Sequence, residues 1–265
     1  MKGNGTRISA VICIIMACIL LSGPVCAEQT IVVAVNANWP PMQMKDTAGN
    51  ITGYEIDMIH AVAVEAGFQV RLVDVPWRSM FRELNEGAYD AVMASVSITT
   101  GKKARYDFSR PYFFTEQILV IRRAQAKEPI TGKAIGIFKL TKQADMIRKT
   151  WGCNMTYYTV EQIDQAFKHL ARGELAGVLC DAPVAMNYTS SQPHYQGMFT
   201  IHDVNPGCMD QSTEEYGIAV KKGDSRTLDL INKGLEAVKA KGIEDRLKEK
   251  WFKDNLPGTM VGYVK

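Results

Sequence analysis

The residues of this chain that are best able to bind a small polar molecule lie in two short segments, each after an apolar run. Residues 95–99 contain three hydroxyl side chains and follow the apolar residues 91–94, and Lys102 comes shortly afterwards. Small hydrogen-bond donors followed by a cation can seat a carboxylate. In the second segment, Asp181 follows the apolar residues 177–180 and supplies a carboxylate. The alternative for the first segment is that the hydroxyls cap a turn and Lys102 is solvated.

The spacing of the two segments is the same. Gly87 precedes Ser95 by eight residues, and Gly173 precedes Asp181 by eight residues. If both copies are helix–turn–strand units, Ser95 and Asp181 occupy equivalent strand tips in two similar lobes. Ligands of open α/β sheets bind at the carboxyl ends of strands. Across a cleft, the two tips would suit a zwitterion, with its carboxylate on one side and its ammonium on the other.

The elements that must position these residues alternate between strand and helix patterns. β-branched and apolar runs predict strands, and apolar residues at helical spacing with glycine stops predict helices. This alternation is typical of a parallel sheet with covering helices. The predicted strands are 30–35, 69–73, 91–94, 117–122, 134–137, 155–158, 177–180 and 214–220, and the predicted helices include 53–66, 80–85, 161–172, 225–240 and 243–252.

Trp39 stands in a loop directly after the first predicted strand. Pro40 and Pro41 follow it and prevent further strand pairing. An indole at the carboxyl end of a strand can stack on a ligand, and the alternative is that it covers the core.

Two crossings between lobes are expected, and together they make a hinge. We predict the first crossing at the polar residues 123–128 and the return near residues 214–220. The predicted fold class is α/β with two lobes, each a mostly parallel sheet with flanking helices. Lobe 1 is predicted to be discontinuous, with residues 28–121 plus 217–265, and lobe 2 to contain residues 122–216.

The first 27 residues have the three regions of a secretory signal peptide. Lys2 and Arg7 precede an apolar run over 8–21, and small residues lead to a predicted cleavage after Ala27. The protein is therefore expected to be periplasmic. The alternatives are a retained anchor, for which the run is short, and a lipid anchor at the weak lipoprotein-like box in residues 15–18.

Charge and cysteine content exclude some classes of partner and cofactor. Without residues 1–27 the chain has 29 basic and 28 acidic side chains, net +1, which gives no reason to expect a nucleic-acid partner. Among the remaining cysteines we favour a Cys153–Cys208 disulfide, because Cys180 lies in an apolar strand pattern. With no CxxC or HExxH motif and scattered histidines, we predict neither a metal site nor a cofactor.

Several motifs resemble one family along nearly all of residues 30–252. They are the aromatic-proline loop at 39–41, the helix at 53–66, the Ser/Thr loop leading to Asp-Phe-Ser at 95–109, Asp181, and Lys-Trp-Phe at 250–252. The chain resembles the bacterial extracellular solute-binding proteins of family 3, which deliver polar amino acids to ABC importers. The resemblance implies a type 2 periplasmic-binding-protein fold. Together with the reasoning above, it gives the predicted ligand-binding residues Trp39, Ser95, Ser97, Lys102, Thr141, Lys142 and Asp181.

Departures from the family pattern fall near the predicted site. Lys102 stands where the family usually has an arginine, and lacks its bidentate fork. Leu140, Thr141 and Lys142 stand where the family usually has Gly-Thr-Thr, and Glu116 replaces a usual glycine. With Lys139 also nearby, the lysines favour an acidic or carboxylate-rich ligand, although solvated lysines are the alternative.

The resulting functional prediction is a monomeric receptor rather than an enzyme. It would trap a polar amino acid, with acidic ones among the candidates, by hinge closure and deliver it to the membrane permease of an ABC importer. One alternative is a cyclohexadienyl-dehydratase-like enzyme on the same scaffold, although no GxSxG motif is present. The other is a ligand-sensing module, which would need a second membrane segment or a fused domain.

Overall fold

A computed structural model describes residues 29–139, 141–202 and 214–252 of the chain. The predicted signal peptide and Cys208 lie outside the described residues. Within those ranges, no helix has the length and apolar character needed to span a membrane. Cys153 and Cys180 are both buried, and because Cys208 is not described, the Cys153–Cys208 disulfide stays a prediction.

Strands and helices alternate along most of the described chain. The strands are β1 Thr30–Val35, β2 Met44–Lys45, β3 Ile51–Thr52, β4 Gln69–Asp74, β5 Ala91–Val92, β6 Tyr106–Phe108, β7 Phe113–Thr115, β8 Gln117–Arg122, β9 Ala134–Ile137, β10 Asn154–Tyr157, β11 Gly177–Asp181, β12 Phe199–Ile201, β13 Glu214–Tyr216 and β14 Ala219–Lys221. The helices are α1 Tyr54–Ala66, α2 Trp77–Glu86, α3 Thr100–Lys103, α4 Lys142–Trp151, α5 Ile163–Arg172, α6 Ala182–Met186, α7 Ser225–Ala240 and α8 Ile243–Phe252.

The two large sheets share one topology. The first has the order β4-β1-β5-β14-β6 and the second the order β10-β9-β11-β8-β12. In each sheet, four strands run in one direction and only the fourth in the order, β14 or β8, runs against its neighbours. The predicted fold class of two mostly parallel α/β lobes is confirmed.

Two antiparallel strands carry the chain between the sheets. β7 pairs with β13, with Thr115 opposite Glu214 and Phe113 opposite Tyr216. Because β8 pairs with β11 and β12, it belongs to the second sheet. The first crossing therefore lies at β7, and its prediction at residues 123–128 was wrong. The prediction failed because the apolar sequence of β8 is compatible with either the last strand of one lobe or the first strand of the next.

The equivalence of the two predicted strand tips has a clear structural basis. α2 ends at Gly87 and α5 ends at Gly173, and both glycines adopt the left-handed conformation that closes a helix. Each helix then leads into the third strand of its sheet order, β5 or β11. The two tips consequently hold matching positions in the two sheets.

The C-terminal helices pack against the first lobe. Lys250 Nζ and Trp251 Nε1 contact the same oxygen of Asp57 on α1, at 2.6 and 2.7 Å. Phe252 is 1% exposed, and its ring lies 5.2 Å from that of Tyr54 and 5.6 Å from that of Phe113. The Lys-Trp-Phe motif thus packs the end of α8 against α1 and β7.

Candidate functional site

A cavity of about 90 Å³ lies between the carboxyl ends of the two sheets. This volume exceeds by several-fold the space that one water requires, so a small organic molecule fits. Five of the seven predicted ligand-binding residues line it: Trp39, Ser95, Ser97, Lys102 and Asp181. The strand tips are therefore brought together as the spacing predicted.

Asp181 closes β11 and is only 2% exposed. Its Oδ1 accepts a hydrogen bond from Gln117 Nε2, and its Oδ2 accepts one from Tyr216 OH. Gln117 lies directly opposite because β8 runs against β11, which brings its first residue to the last residue of β11. Burial raises the pKa of the Asp181 carboxyl, whereas the Lys139 ammonium opposes that shift.

Lys139 joins three acceptors at the cavity. Its Nζ lies 3.2 Å from Asp181 Oδ1, 2.6 Å from Glu214 Oε2 and 3.3 Å from Ser97 Oγ. Ser97 Oγ in turn donates to Glu214 Oε2 at 2.5 Å. Burial lowers the pKa of Lys139, but the carboxylates of Asp181 and Glu214 outweigh it, and the pKa is raised overall. The ammonium therefore stays charged at neutral pH.

Lys102 lies at the same cavity with a different environment. Its Nζ donates to the carbonyl of Ser97 at 3.0 Å and lies 5.9 and 6.0 Å from the ring centres of Trp77 and Phe81. Burial, reinforced by the charge of Lys139, lowers its pKa to about 8. This ammonium is well placed to meet the carboxylate of a ligand.

Ser95 uses its polar groups inside the first lobe. Its backbone N–H donates to Glu55 at 3.0 Å, and its hydroxyl donates to the same carboxylate at 2.9 Å. Tyr112 OH and Gln43 Nε2 also donate to Glu55, which is fully buried at the start of α1. The Ser95 hydroxyl thus serves mainly to fix the tip of β5, a role that the sequence reasoning did not foresee.

Aromatic side chains form the walls of the cavity. Trp39 packs edge-on against Phe138 of the second lobe, with ring centres 5.2 Å apart. Trp77, the first residue of α2, donates its backbone N–H across the cleft to Glu161 Oε1 at 3.2 Å. The Trp39 Nε1 atom is buried without a hydrogen-bond partner. These contacts hold the two lobes together around the cavity.

Thr141 and Lys142 are the two predicted residues that do not line the cavity. Thr141 is the N-cap of α4, and its hydroxyl accepts a hydrogen bond from the backbone N–H of Ala144 at 3.1 Å. Lys142 is exposed on the first turn of the same helix. Their role in ligand binding stays a prediction.

Several lining side chains lie outside the predicted set, among them Gln117, Trp77 and Lys139. Glu214 does not line the cavity but pairs with Lys139, and because it follows no apolar run, nothing in the sequence marked it. Gln117 starts a strand, and only its reversed direction brings it to Asp181. Trp77 had a usable signal, because it follows a strand and a proline much as Trp39 precedes two prolines. Lys139 is one of the lysines expected near the cleft, but it is not among the predicted ligand-binding residues.

Comparison with known proteins decides the family. Residues 31–254 match the bacterial extracellular solute-binding proteins, family 3. The chain belongs to that family. A probable histidine-binding protein of Neisseria gonorrhoeae is 32% identical over 83% of this chain and 82% of its own length. The family assignment made from the sequence motifs is confirmed.

Solved structures of similar proteins support the same fold. An ancestral arginine-binding protein bound to glutamine aligns with a TM-score of 0.71 and 31% identity, covering 85% of this chain and 98% of the other. The arginine-, lysine-, histidine-binding protein ArtJ of Geobacillus stearothermophilus aligns with a TM-score of 0.71 and 25% identity, over 85% and 96%.

The named relatives are binding proteins, which confirms the prediction of a solute-binding receptor of ABC transport rather than an enzyme. The family is extracellular, which agrees with an exported protein. Among the described residues, no group of three or more His, Cys, Asp or Glu side chains could hold a metal ion.

Proposed function

We propose that this protein captures one free amino acid between its lobes. The observation that carries the proposal is the position of Asp181, a buried carboxylate that lines the same cavity as Lys102. A carboxylate on one wall and an ammonium on another match the two charged groups of an amino acid. Ser97 and Lys102 of the first lobe would contact the ligand, with Lys102 at its carboxylate, and Asp181 of the second lobe would bind its ammonium.

The formal charges at the cavity favour a ligand without a large net charge. Lys102, Lys139 and Asp181 line the cavity, and Glu214 adds a second negative charge through its ion pair with Lys139. The surplus of lysines that favoured an acidic ligand is therefore offset by Glu214. A polar zwitterion with a neutral or titrating side chain fits this balance of charges. The acidic amino acids are still included in the binding experiment below.

Histidine is the first ligand to test. The relative that is 32% identical is named as a probable histidine-binding protein, and the aromatic walls formed by Trp39, Trp77 and Phe138 would pack against a flat ring. Arginine and cystine come next, because other relatives carry those names.

The remaining parts of the proposal concern the partners and the place of action. The receptor would act in the periplasm, after removal of residues 1–27, as a monomer that hands its ligand to the membrane permease of an ABC importer. The near balance of acidic and basic side chains supports no role for nucleic acid.

A thermal-shift panel tests the proposal. It would contain the twenty amino acids, cystine and small dicarboxylates. A ligand at a hundred times its dissociation constant stabilises a protein by roughly 2.7 kcal/mol, which for a chain of this size raises the melting temperature by about 5–10 °C. We expect at least one amino acid to give such a shift and to be recovered unchanged. If no amino acid raised the melting temperature, the proposal would be rejected.

A further inference from the structure

The Lys139 ammonium occupies the place that the proposed function assigns to the ammonium of the ligand. Its three acceptors, Asp181, Glu214 and Ser97, lie within 3.3 Å and match the three N–H bonds of an ammonium group. These acceptors come from the second lobe, the crossing strand β13 and the first lobe. A free amino acid would present the same chemical group to the same carboxylate.

We propose that Lys139 is a tethered competitor for the ligand's ammonium group and thereby sets the affinity and selectivity of the site. The inference rests on the proposed function, since it concerns how an amino acid reaches Asp181. In the described structure the Lys139 ammonium itself occupies the ammonium-binding position at Asp181. A bound amino acid has to displace it.

The surroundings of Asp181 explain why the ammonium groups of Lys139 and of the ligand cannot both bind its carboxylate. Its carboxylate already accepts hydrogen bonds from Gln117 and Tyr216 in addition to the contact with Lys139. A carboxylate has about four lone-pair sites, so little capacity remains. A second cation beside Lys139 would also meet like-charge repulsion.

The position of Lys139 in the chain makes displacement feasible. It lies two residues beyond β9, in a loop, and its side chain is 37% exposed. The four-carbon stem of lysine is flexible and its ammonium is readily hydrated. Movement of the side chain towards solvent would leave Asp181 facing the ligand with no internal cation.

The competition has a specific consequence for selectivity. An analogue that lacks the α-amino group places no cation at Asp181, and it leaves Lys139 where it is. Lys139 therefore weakens the binding of an amino acid without weakening the binding of its des-amino analogue. Removing the charge of Lys139 should therefore increase the ratio between the dissociation constants of the des-amino analogue and of the amino acid.

The test compares dissociation constants by calorimetry for the wild type, Lys139→Met and Lys139→Gln. The probes are three matched pairs: L-histidine with imidazole-4-propionate, L-glutamine with glutaramate, and L-glutamate with glutarate. Methionine keeps an unbranched side chain, and glutamine keeps hydrogen bonding without charge. Lys133→Met is the control, because Lys133 forms an exposed pair with Glu128 on the same lobe.

We expect both Lys139 variants to bind the amino acid of at least one pair about tenfold or more tightly than the wild type, a factor that corresponds to 1.4 kcal/mol. The analogue should bind with an unchanged constant, and Lys133→Met should behave as the wild type. Binding by a variant of an amino acid that the wild type does not bind would support the proposal in the same way.

Three results would overturn it. An unchanged ratio between the dissociation constants of amino acid and analogue would show that Lys139 does not compete with the ligand. Weaker binding of both probes by the variants would show that Lys139 contacts the ligand directly. In either case the proposed function would stand, since an amino acid still binds. Failure of every variant and of the wild type to bind any probe, with all of them folded, would overturn this inference, and the proposed function would fall with it only if the full amino-acid panel also gave no binding.

Discussion

At the scale of single residues, the two cavity lysines have different surroundings. Lys139 is neutralised by Asp181 and Glu214, whereas the hydrogen bond of the Lys102 ammonium goes to the backbone carbonyl of Ser97. The first lysine therefore belongs to the anionic side of the cavity and the second provides a positive group for a ligand carboxylate. The substitution of lysine for the family's usual arginine then has a measurable consequence.

Ligand binding should weaken as the pH rises through the pKa of Lys102, which lies at about 8. Below that pH the side chain is charged and attracts a carboxylate, and above it the charge is lost. Between pH 7 and pH 9 we expect an affinity loss of up to about tenfold for a probe such as glutarate, whose carboxylates stay ionised. Calorimetry across this range measures it.

Lys102→Arg is the matched control for this pH dependence. The guanidinium group stays charged throughout the range, so the affinity of this variant should vary little between pH 7 and pH 9. The same slope in both proteins would show that another group is responsible.

The predictability of the site differs from residue to residue for physical reasons. Asp181 and Ser95 could be placed because a glycine stop, a short turn and a strand have a fixed length in both lobes. Glu214 could not, because it lies far along the sequence on a crossing strand, and only the pairing of that strand with Thr115 brings it to Lys139. The use of the Ser95 hydroxyl by Glu55 depends on how α1 packs, which spacing alone does not determine.

At the scale of elements, α1 links the core of the first lobe to the binding site. Its first turn places Glu55 against the tip of β5, and its outer face carries the closing helices α7 and α8. Most elements of this lobe could be predicted, because the helices are bounded by glycines and the strands by apolar runs. The first crossing could not, because β8 is as apolar as any central strand.

The contact between α1 and α7 depends on Gly234. A Cβ atom at this position would lie 2.4 Å from the backbone oxygen of Val62 and 2.7 Å from its Cγ1 atom. Alanine normally stabilises a helix by roughly 1 kcal/mol relative to glycine, but the clash should dominate here. We expect Gly234→Ala to lower the free energy of unfolding by about 1–3 kcal/mol, measured by urea denaturation.

Gly101→Ala provides the comparison for this prediction. Gly101 lies in α3, and a Cβ atom there would have no neighbour within 4 Å. Its free energy of unfolding should equal or exceed that of the wild type. If Gly234→Ala were as stable as Gly101→Ala, the close approach of α7 to α1 would not be a constraint.

At the scale of the whole molecule, the site exists only where the two lobes meet. Trp39 touches Phe138, Trp77 touches Glu161, and Ser97 touches Lys139, each pair joining the first lobe to the second. The two crossing strands β7 and β13 are the covalent links between the sheets. A ligand that contacts both lobes would favour this arrangement in proportion to its added contacts.

The proposed function depends above all on the buried carboxylate of Asp181 binding the ammonium group of an amino acid. The most direct measurement is the dissociation constant of the best amino acid in the panel for the wild type, Asp181→Asn and Asp145→Asn, with the melting temperature recorded for each. Asp145 is the control, since its carboxylate pairs with Arg148 and Lys149 on α4.

Loss of the charged hydrogen bond should weaken binding by Asp181→Asn roughly 10- to 100-fold, while Asp145→Asn binds as the wild type. A folded Asp181→Asn protein with the affinity of the wild type would contradict a role for Asp181 in binding the ammonium group.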